Sequence, residues 1–260
     1  MSTGSDTEVP RRRVALMVTC LVDQLAPEVG VATVRLLRRR GVQVEFPQLQ
    51  TCCGQAAWNS GLAEEARALA ERTIEIFEPY EAVVAPSGSC MGMLHHGYQQ
   101  IFRDDEAWLR RARELARKSF ELSQYLVHEF GLSSAAMASA DEHATQVATY
   151  HPSCHATRIL GVADEPLQLL RAVRGMQLVP LPRAEDCCGF GGTFCAKLPE
   201  LSSAIVETKV AHIAATGAQC VVSTDVGCLA NIRSACAHRG LPVEVLHLAE
   251  VLDRQEAAKS

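Results

Sequence analysis

The sequence lacks a long apolar segment. No run in its 260 residues reaches the roughly 18 to 20 apolar residues that a membrane-spanning helix requires. Arg11–Arg13 followed by Val14–Val22 resembles the start of a secretory signal, but the run meets Asp23 without a small-residue cleavage site. Because the similar segment Val147–Cys154 lies far inside the chain, we interpret both segments as core strands. We expect a cytoplasmic protein without a membrane span.

The sequence also lacks an excess of positive charge. It has 25 Lys and Arg residues against 30 Asp and Glu, a net charge of −5, which gives no reason to expect nucleic acid or an anionic membrane as a partner. The apolar fraction of 48% and the charged fraction of 21% are those of an ordinary globular protein and exclude wholesale disorder. The length suffices for one large domain or two modest ones.

A third absence is the spaced glycine pattern of a dinucleotide-binding loop. The glycine-rich string Gly189–Gly192 resembles a phosphate loop only loosely. We therefore expect neither flavin nor NAD on this chain, and no segment offers a recognisable hydride-transfer apparatus. A redox function would then need other centres that a partner protein carries.

Cysteine, by contrast, is abundant, and eight of the eleven cysteines form a duplicated pattern. The triplet Cys52-Cys53-Gly54 recurs as Cys187-Cys188-Gly189, and each pair lies between two further cysteines. Matching cysteines are offset by 134, 135, 135 and 138 residues, in the pairs Cys20 and Cys154, Cys52 and Cys187, Cys53 and Cys188, Cys90 and Cys228. Packing as small buried hydrophobes explains scattered cysteines but not this register. An odd count and adjacent pairs argue against a disulfide scaffold, so we predict a metal or redox function.

Strands and helices are predicted to alternate in the same order around both cysteine sets. In the first half we predict strands over Val14–Thr19, Val42–Phe46 and Glu81–Ala85, and helices over Pro27–Arg40 and on the face marked by Leu62, Ala66, Leu69, Thr73 and Ile76. In the second half we predict strands over Gln146–Tyr150, Met176–Leu181, Gln219–Ser223 and Val243–His247, and helices over Pro166–Val173 and Pro199–Thr216 and up to about Gln255. This alternation predicts an α/β fold of two tandem pseudo-symmetric units with mostly parallel sheets and right-handed crossovers.

These elements divide the chain into three segments. The first cysteine-rich unit takes residues 11–102, and the second takes residues 146–256. Residues 103–145 are predicted to join the units through a long helix over Glu106–Phe130, whose apolar residues fall on one stripe, and a small, polar, Ala-rich linker over Ser133–Thr145.

The placement of the cysteines predicts a metal centre in each unit. Each cysteine falls on a loop after a strand or before a helix, and such loops meet at one edge of an open α/β sheet. Four thiolates suit either Zn²⁺ or an iron–sulfur cluster. Directly adjacent cysteines favour the cluster, because zinc knuckles space their thiolates two to four residues apart. Gly54 and Gly189 would let the backbone approach the centre closely.

The pattern resembles a known family. A cysteine, a long spacer, Cys-Cys-Gly, a second long spacer and Cys-x-x-Cys are the marks of the cysteine-rich CCG domain, which occurs in heterodisulfide reductases and in the iron–sulfur subunits of glycolate oxidases. The resemblance covers Val14–Met93 and Val147–Asn231. The strings Pro86–Cys90, His151–Cys154 and Cys187–Gly192 resemble those of the lactate utilization protein A family in particular.

That resemblance implies a function and a set of ligands. It implies one or two iron–sulfur clusters per chain, of the [4Fe–4S] type, bound by Cys20, Cys52, Cys53 and Cys90 and by Cys154, Cys187, Cys188 and Cys228. It also implies an electron-transfer component of a multi-protein oxidoreductase that oxidises L-lactate to pyruvate, with lactate utilization B and C type proteins as partners. Met93 and Asn231 replace the second cysteine of the family's Cys-x-x-Cys, so we do not carry over the non-cubane cluster that needs a fifth thiolate.

Two other functions stay open on the sequence. One is a self-sufficient redox enzyme for a thiol or a 2-hydroxy acid, and the other is a structural zinc-binding interaction module. Single residues stay open as well: Cys195 is a possible extra ligand, and His151 and His155 flank Cys154 as iron ligands, proton relays or packing residues. Cys220 and Cys236 fall inside predicted elements and are interpreted as core.

Overall fold

The computed structural model describes residues 13–132 and 146–258. Its strands form two four-stranded sheets in which every pairing is parallel. In chain order the strands are β1 Arg13–Leu16, β2 Gln43–Glu45, β3 Ala82–Ala85, β4 Ser119–Glu121, β5 Gln146–Tyr150, β6 Met176–Val179, β7 Cys220–Ser223 and β8 Glu244–His247. The first sheet has the order β2-β1-β3-β4 and the second has the order β6-β5-β7-β8, so the two units share one topology. The predicted α/β fold of two parallel-sheet units is confirmed.

Helices connect the strands and cover the sheets. In chain order they are α1 Cys20–Leu25, α2 Pro27–Arg39, α3 Gln55–Asn59, α4 Ala63–Phe77, α5 Gly88–Gly92, α6 Tyr98–Ile101, α7 Glu106–Arg117, α8 Leu122–Phe130, α9 Asp164–Arg171, α10 Phe194–Lys197, α11 Pro199–Ala215, α12 Val226–His238 and α13 Leu248–Ala257. Two π-helical turns, Met93–Gly97 and His155–Leu160, complete the set. Within the described ranges no helix is both long and apolar enough to cross a membrane.

The long helix predicted over Glu106–Phe130 is wrong. The chain leaves α7 at Arg117, runs through the short strand β4 and re-enters a helix at Leu122. The strand pairs with β3 in parallel, with Val83 opposite Ser119, and so completes the first sheet. Only four residues separate the two helices, three of them in the strand, and the apolar residues on either side keep a helical spacing, so the sequence pattern does not show the interruption. The predicted linker over Ser133–Thr145 lies outside the described residues.

The cysteine loops begin sooner after the strands than the sequence indicates. The first strand ends at Leu16 rather than at the predicted Thr19, and Cys20 already opens the additional helix α1. Thr19 before it has a φ of 70°, a left-handed conformation that a β-branched residue adopts only under strain. The chain passes from β1 to α1 through this residue, and Cys20 is the first residue of the helix.

The two units pack against each other across the cysteine-bearing edges. Helix α5 of the first unit lies against the π-helical turn His155–Leu160 of the second, and a Cβ on Gly88 would lie 2.5 Å from the Cβ of Ala156. Helices α2 and α13 form a second contact, where Arg39 pairs with Asp253 at 2.7 Å. Buried apolar residues from both units form one shared cluster, so the halves share a core as well as a topology.

Candidate metal centre

All eight cysteines of the duplicated pattern lie at the carboxyl ends of the parallel strands. Cys20 and Cys154 begin the helical turns that follow β1 and β5. Cys90 and Cys228 lie in the first turns of α5 and α12, which follow β3 and β7. The adjacent pairs follow β2 and β6. Because strand order reverses direction between β1 and β3, and likewise between β5 and β7, these ends form the crevice in which such sheets hold ligands.

In the first unit the four thiols form a chain of neighbours in the order Cys20, Cys52, Cys53 and Cys90. The Sγ atoms of Cys53 and Cys90 are 3.5 Å apart, and the thiols of Cys20 and Cys53 each form a hydrogen bond with Cys52. The backbone N–H of Gly54 donates to the Cys52 Sγ at 3.4 Å. All four cysteines line one cavity, and a backbone donor is already directed at one of the sulfurs.

The second unit repeats this arrangement. Cys187 forms thiol hydrogen bonds with Cys154 and Cys188, and Cys188 with Cys228. The N–H of Gly189 donates to the Cys187 Sγ at 3.3 Å, close to the value for the equivalent glycine of the first unit. The structure therefore brings together all four members of each cysteine set that the sequence predicts.

The crowding of the thiols separates their pKa values. Hydrogen bonds from Cys20 and Cys53 lower the pKa of Cys52, while the bonds to Cys52 and burial raise the pKa of both donors. In the second unit, bonds from Cys154 and Cys188 lower the pKa of Cys187 in the same way. One thiol in each set ionises easily and its neighbours retain their protons. A soft metal that displaces these protons would relieve the crowding.

Glycine is required after both cysteine pairs. Gly54 and Gly189 have φ values of 88° and 81°, in the left-handed region that glycine adopts without strain. A Cβ on Gly189 would lie 2.7 Å from the carbonyl oxygen of Ser202, and one on Gly54 would lie 3.3 Å from that of Ala66. The glycines let each cysteine loop lie directly on the following helix.

The carbonyl of the second cysteine in each pair is held by a side chain. In the first unit the Tyr98 hydroxyl donates to the Cys53 carbonyl at 2.9 Å. In the second unit the Asn231 Nδ2 donates to the Cys188 carbonyl at 2.8 Å. In the sequence Tyr98 belongs to no motif, and Asn231 stands out only as the replacement of a cysteine. Its position three residues after Cys228, on the inward face of α12, is the one signal that pointed to it.

The two thiol sets face a single cavity between the units. It has a volume of about 210 Å³, and all eight cysteines line it. Two contacts join the units beside it: the Ser89 N–H donates to the Asp225 Oδ2 at 2.9 Å, and the hydroxyls of Ser60 and Thr193 are 3.1 Å apart. Asp225 also caps α12, which begins at Val226, by accepting from the N–H of Gly227. The sequence did not reveal that both sets open into the same space.

The remaining cysteines lie elsewhere. The Cys195 thiol donates to the carbonyl of Gly192 at 3.2 Å and does not line the cavity. Cys220 is buried in β7 and Cys236 in α12, as their positions in predicted elements indicated. Burial raises the pKa of Cys220 to about 12, so this thiol stays protonated and serves as core.

The two histidines beside Cys154 differ in their burial and in their contacts. His155 lines the cavity, with its Nδ1 3.6 Å from the Cys154 Sγ. His151 is 1% exposed, and neither of its ring nitrogens has a hydrogen-bond partner among the described residues. Burial lowers the pKa of His151 to about 3, so the imidazole is neutral. A ring nitrogen of His151 and the sulfurs of Cys188 and Cys228 all lie within 4.8 Å of one another.

The donor set fits a thiophilic metal centre. Each unit supplies four sulfur donors linked as successive neighbours, a glycine that opens the backbone and an N–H directed at sulfur. The second unit adds an unpartnered buried imidazole next to two of its thiols. Soft thiolate ligands select zinc, copper(I) or iron–sulfur centres over hard cations.

Comparisons with known proteins agree with this arrangement. The cysteine-rich CCG domain family matches residues 14–95 and 148–233, one copy in each unit. The chain is similar to "Lactate utilization protein A" of Halalkalibacterium halodurans, with 45% identity over 247 residues that cover 95% of this chain and 99% of that protein. It is 47% identical to the protein of the same name from Geobacillus kaustophilus over 241 residues, which cover 93% of this chain and 98% of that protein.

Among solved structures, a glutamate racemase (RacE1) from Bacillus anthracis aligns with 96% of this chain and 81% of its own. The identity is 9% and the TM-score is 0.39, a likeness too weak to carry any argument. The family follows from the cysteine-rich domains and from the sequence relatives. The chain belongs to the lactate utilization protein A family, with two tandem CCG domains.

Proposed function

We propose that this protein is an iron–sulfur protein of lactate utilization, acting as the electron-transfer component of a multi-protein system that oxidises L-lactate to pyruvate. The observation that carries the proposal is the pair of four-thiol sets that open into one cavity between the units. The names of the relatives support the link to lactate. The reduced thiols support a cytoplasmic location, where cysteines without disulfides persist.

Each unit would hold one cluster through its own cysteines. Cys20, Cys52, Cys53 and Cys90 serve the first, and Cys154, Cys187, Cys188 and Cys228 serve the second. A bound [4Fe–4S] cluster supplies one-electron chemistry that no side chain can provide. The chain's own part is to fix the thiols at the strand ends, to donate the N–H of Gly54 and Gly189 to sulfur, and to limit water to the small cavity. Two sets around one cavity favour electron passage between them.

The charge of the cavity favours oxidation of lactate on a partner. Asp225 lines it, and Cys52 and Cys187 have lowered pKa values, so the walls carry negative charge. A lactate carboxylate would be repelled there. This supports a component of an oxidoreductase over a self-sufficient 2-hydroxy-acid enzyme. The partners we propose are the lactate utilization B and C type proteins.

The first test is the content of iron, zinc and acid-labile sulfide in protein purified without oxygen, with an EPR spectrum after reduction. About eight irons and eight sulfides per chain support two [4Fe–4S] centres, and about four of each support one centre and one empty scaffold. Zinc without sulfide would sink the proposal and support the structural interaction module instead.

The second test separates an electron-transfer component from a complete enzyme. L-lactate and an artificial electron acceptor are added to the pure protein, alone and with the B and C type partners. We expect no turnover by the isolated chain and turnover when the partners are present. Turnover by the isolated chain would show that the substrate reacts on these two units.

A further inference from the structure

His151 occupies a position that the pseudo-symmetry of the two units defines closely. Its backbone N–H donates to the Val222 carbonyl at 2.8 Å, just past the end of β5. The N–H of Met17 donates to the Val84 carbonyl at 2.9 Å, just past the end of β1. The two residues are therefore structural equivalents, and both side chains are buried, at 1% and 0% exposure.

The surroundings of Met17 and His151 also correspond. Met17 belongs to the same apolar cluster as Cys53 and Cys90. A ring nitrogen of His151 and the sulfurs of Cys188 and Cys228 lie within 4.8 Å of one another. Each unit thus has one buried side chain at this position, which shares a cluster with Cys53 and Cys90 in the first unit and lies near the sulfurs of Cys188 and Cys228 in the second. In the first unit it is a methionine that packs without polar contacts, and in the second it is an imidazole.

A buried imidazole without partners is costly. Buried polar side chains almost always have a hydrogen-bond partner, and an unsatisfied buried donor or acceptor costs about 1 to 3 kcal/mol. Both ring nitrogens of His151 lack one among the described residues, although the first unit shows that an apolar side chain fits the site. The imidazole is therefore placed for a partner that arrives with the bound metal.

We propose that His151 is a fifth protein ligand of the iron–sulfur centre in the second unit, binding iron through a ring nitrogen beside Cys188 and Cys228. The inference rests on the proposed iron–sulfur function. Imidazole is an established iron ligand, and in Rieske centres histidine in place of thiolate raises the reduction potential. The first centre keeps thiolates alone, so the two centres differ in their ligands and therefore in reduction potential.

The test uses anaerobic protein with ¹⁵N-labelled histidine, reduced and examined by pulsed EPR, with iron and sulfide counted on the same sample. We expect the large ¹⁵N hyperfine coupling of a metal-bound nitrogen in the wild type. The coupling should be lost in His151→Met, which copies the first unit, and retained in His155→Gln. The potential of the second centre should change in His151→Met while that of the first stays the same.

The outcomes separate the two proposals. Iron and sulfide with only the weak coupling of a hydrogen-bonded nitrogen, or with none, overturn the role of His151 and leave the iron–sulfur function standing. A coupling lost in His155→Gln but kept in His151→Met assigns the ligand to His155 and also overturns that role. Absence of iron and sulfide removes both proposals. Should His151→Met fail to fold, His155→Gln decides: a coupling kept in that variant supports His151 and a coupling lost in it overturns the role.

Discussion

The two units hold equivalent cysteines with the same backbone and different side chains. Gly54 and Gly189 share their conformation and donate to sulfur at 3.4 and 3.3 Å. The carbonyl that follows the second thiol is bound by Tyr98 in one unit and by Asn231 in the other, from different positions on different helices. The comparison teaches that sheet topology and glycine conformation place the sulfurs, whereas the surrounding side chains are free to make the two sites unequal.

The last strand of each sheet also ends in a buried ionisable side chain, and that side chain differs between the two units. Glu121 ends β4 and His247 ends β8, both are buried, and each side chain accepts a hydrogen bond from the backbone N–H two residues ahead, of Ser123 and Ala249 respectively. Burial disfavours charge on both, but with opposite effects on the pKa. It raises that of Glu121 to about 7 and lowers that of His247 to about 4.

The largest expected effect comes from removing one thiol from each unit. Cys53→Ser should abolish the iron of the first unit only, and Cys188→Ser that of the second, because each set is closed within its own sheet. Each variant should lose about half of the iron and sulfide of a fully loaded chain. Metal analysis and EPR of reduced, anaerobic protein measure the loss.

Cys220→Ser is the matched control for both, since that thiol is fully buried in β7. It should keep the full iron content. Equal iron loss in Cys220→Ser and Cys188→Ser would show that the register does not identify the ligands. Complete loss in either single variant would show that the units do not load independently.

The next effect concerns the surface that joins the units. Gly88→Ala would place a Cβ 2.5 Å from that of Ala156, between two packed backbones with no side chain able to move aside. We expect the free energy of unfolding to fall by about 3 kcal/mol, as overpacking of a tight contact does. Cys90 lies two residues further on, so retention of iron should fall as well.

Gly92→Ala in the same helix is the control. Its Cβ would meet Ile159 no closer than 3.5 Å, an ordinary contact, so the better helix propensity of alanine should leave stability unchanged or up to about 1 kcal/mol higher. Thermal unfolding of both variants tests the pair. Equal midpoints for Gly88→Ala and Gly92→Ala would contradict the close packing of the units.

The sequence predicted the elements with strong local signals. Helix α2 was expected over Pro27–Arg40 and ends at Arg39, because a proline at its start and Gly41 after it mark both ends. Strand β4 carries no such signal. Its three residues form a strand only because β3 offers an unpaired edge, which is a tertiary effect.

The candidate site also has features that the sequence predicts and features that depend on tertiary packing. The repeated spacing identified the eight cysteines, and parallel topology explains why each set converges. The shared cavity depends on how α2 meets α13 and how α5 meets the turn after Cys154, and no local pattern encodes either contact. The roles of Tyr98 and Asn231 depend on how α6 and α12 pack against the cysteine loops within their own units, which no motif encodes.

The pH dependence of stability should separate Glu121 from His247. The folded pKa of Glu121 lies above its usual 4.5, so its contribution to stability is present at low pH and is lost as the pH rises towards about 7. Between pH 5.5 and 7.5 we expect wild-type stability to fall by about 2 kcal/mol relative to Glu121→Gln. Thermal unfolding of the two proteins across this range gives the difference.

The stability of the wild type relative to His247→Gln should change with pH in the opposite direction. The folded pKa of His247 lies below its usual 6.5, so the unfolded state binds more protons and stability rises with pH up to about 6.5. Relative to His247→Gln, the wild type should gain about 1 kcal/mol between pH 5.5 and 7.5. If the stability differences for Glu121→Gln and His247→Gln changed with pH in the same direction, the opposite pKa shifts of Glu121 and His247 would be contradicted.

The smallest effect should come from the side chains that hold the cysteine loops. Tyr98→Phe removes the donor to the buried Cys53 carbonyl and should cost about 1 to 2 kcal/mol. Asn231→Leu should cost less, because the Ser202 hydroxyl still donates to the neighbouring Gly189 carbonyl at 2.8 Å. The rate of iron loss to a chelator should therefore rise more in Tyr98→Phe. A faster loss in Asn231→Leu would mean that the second loop depends on one side chain as strongly as the first.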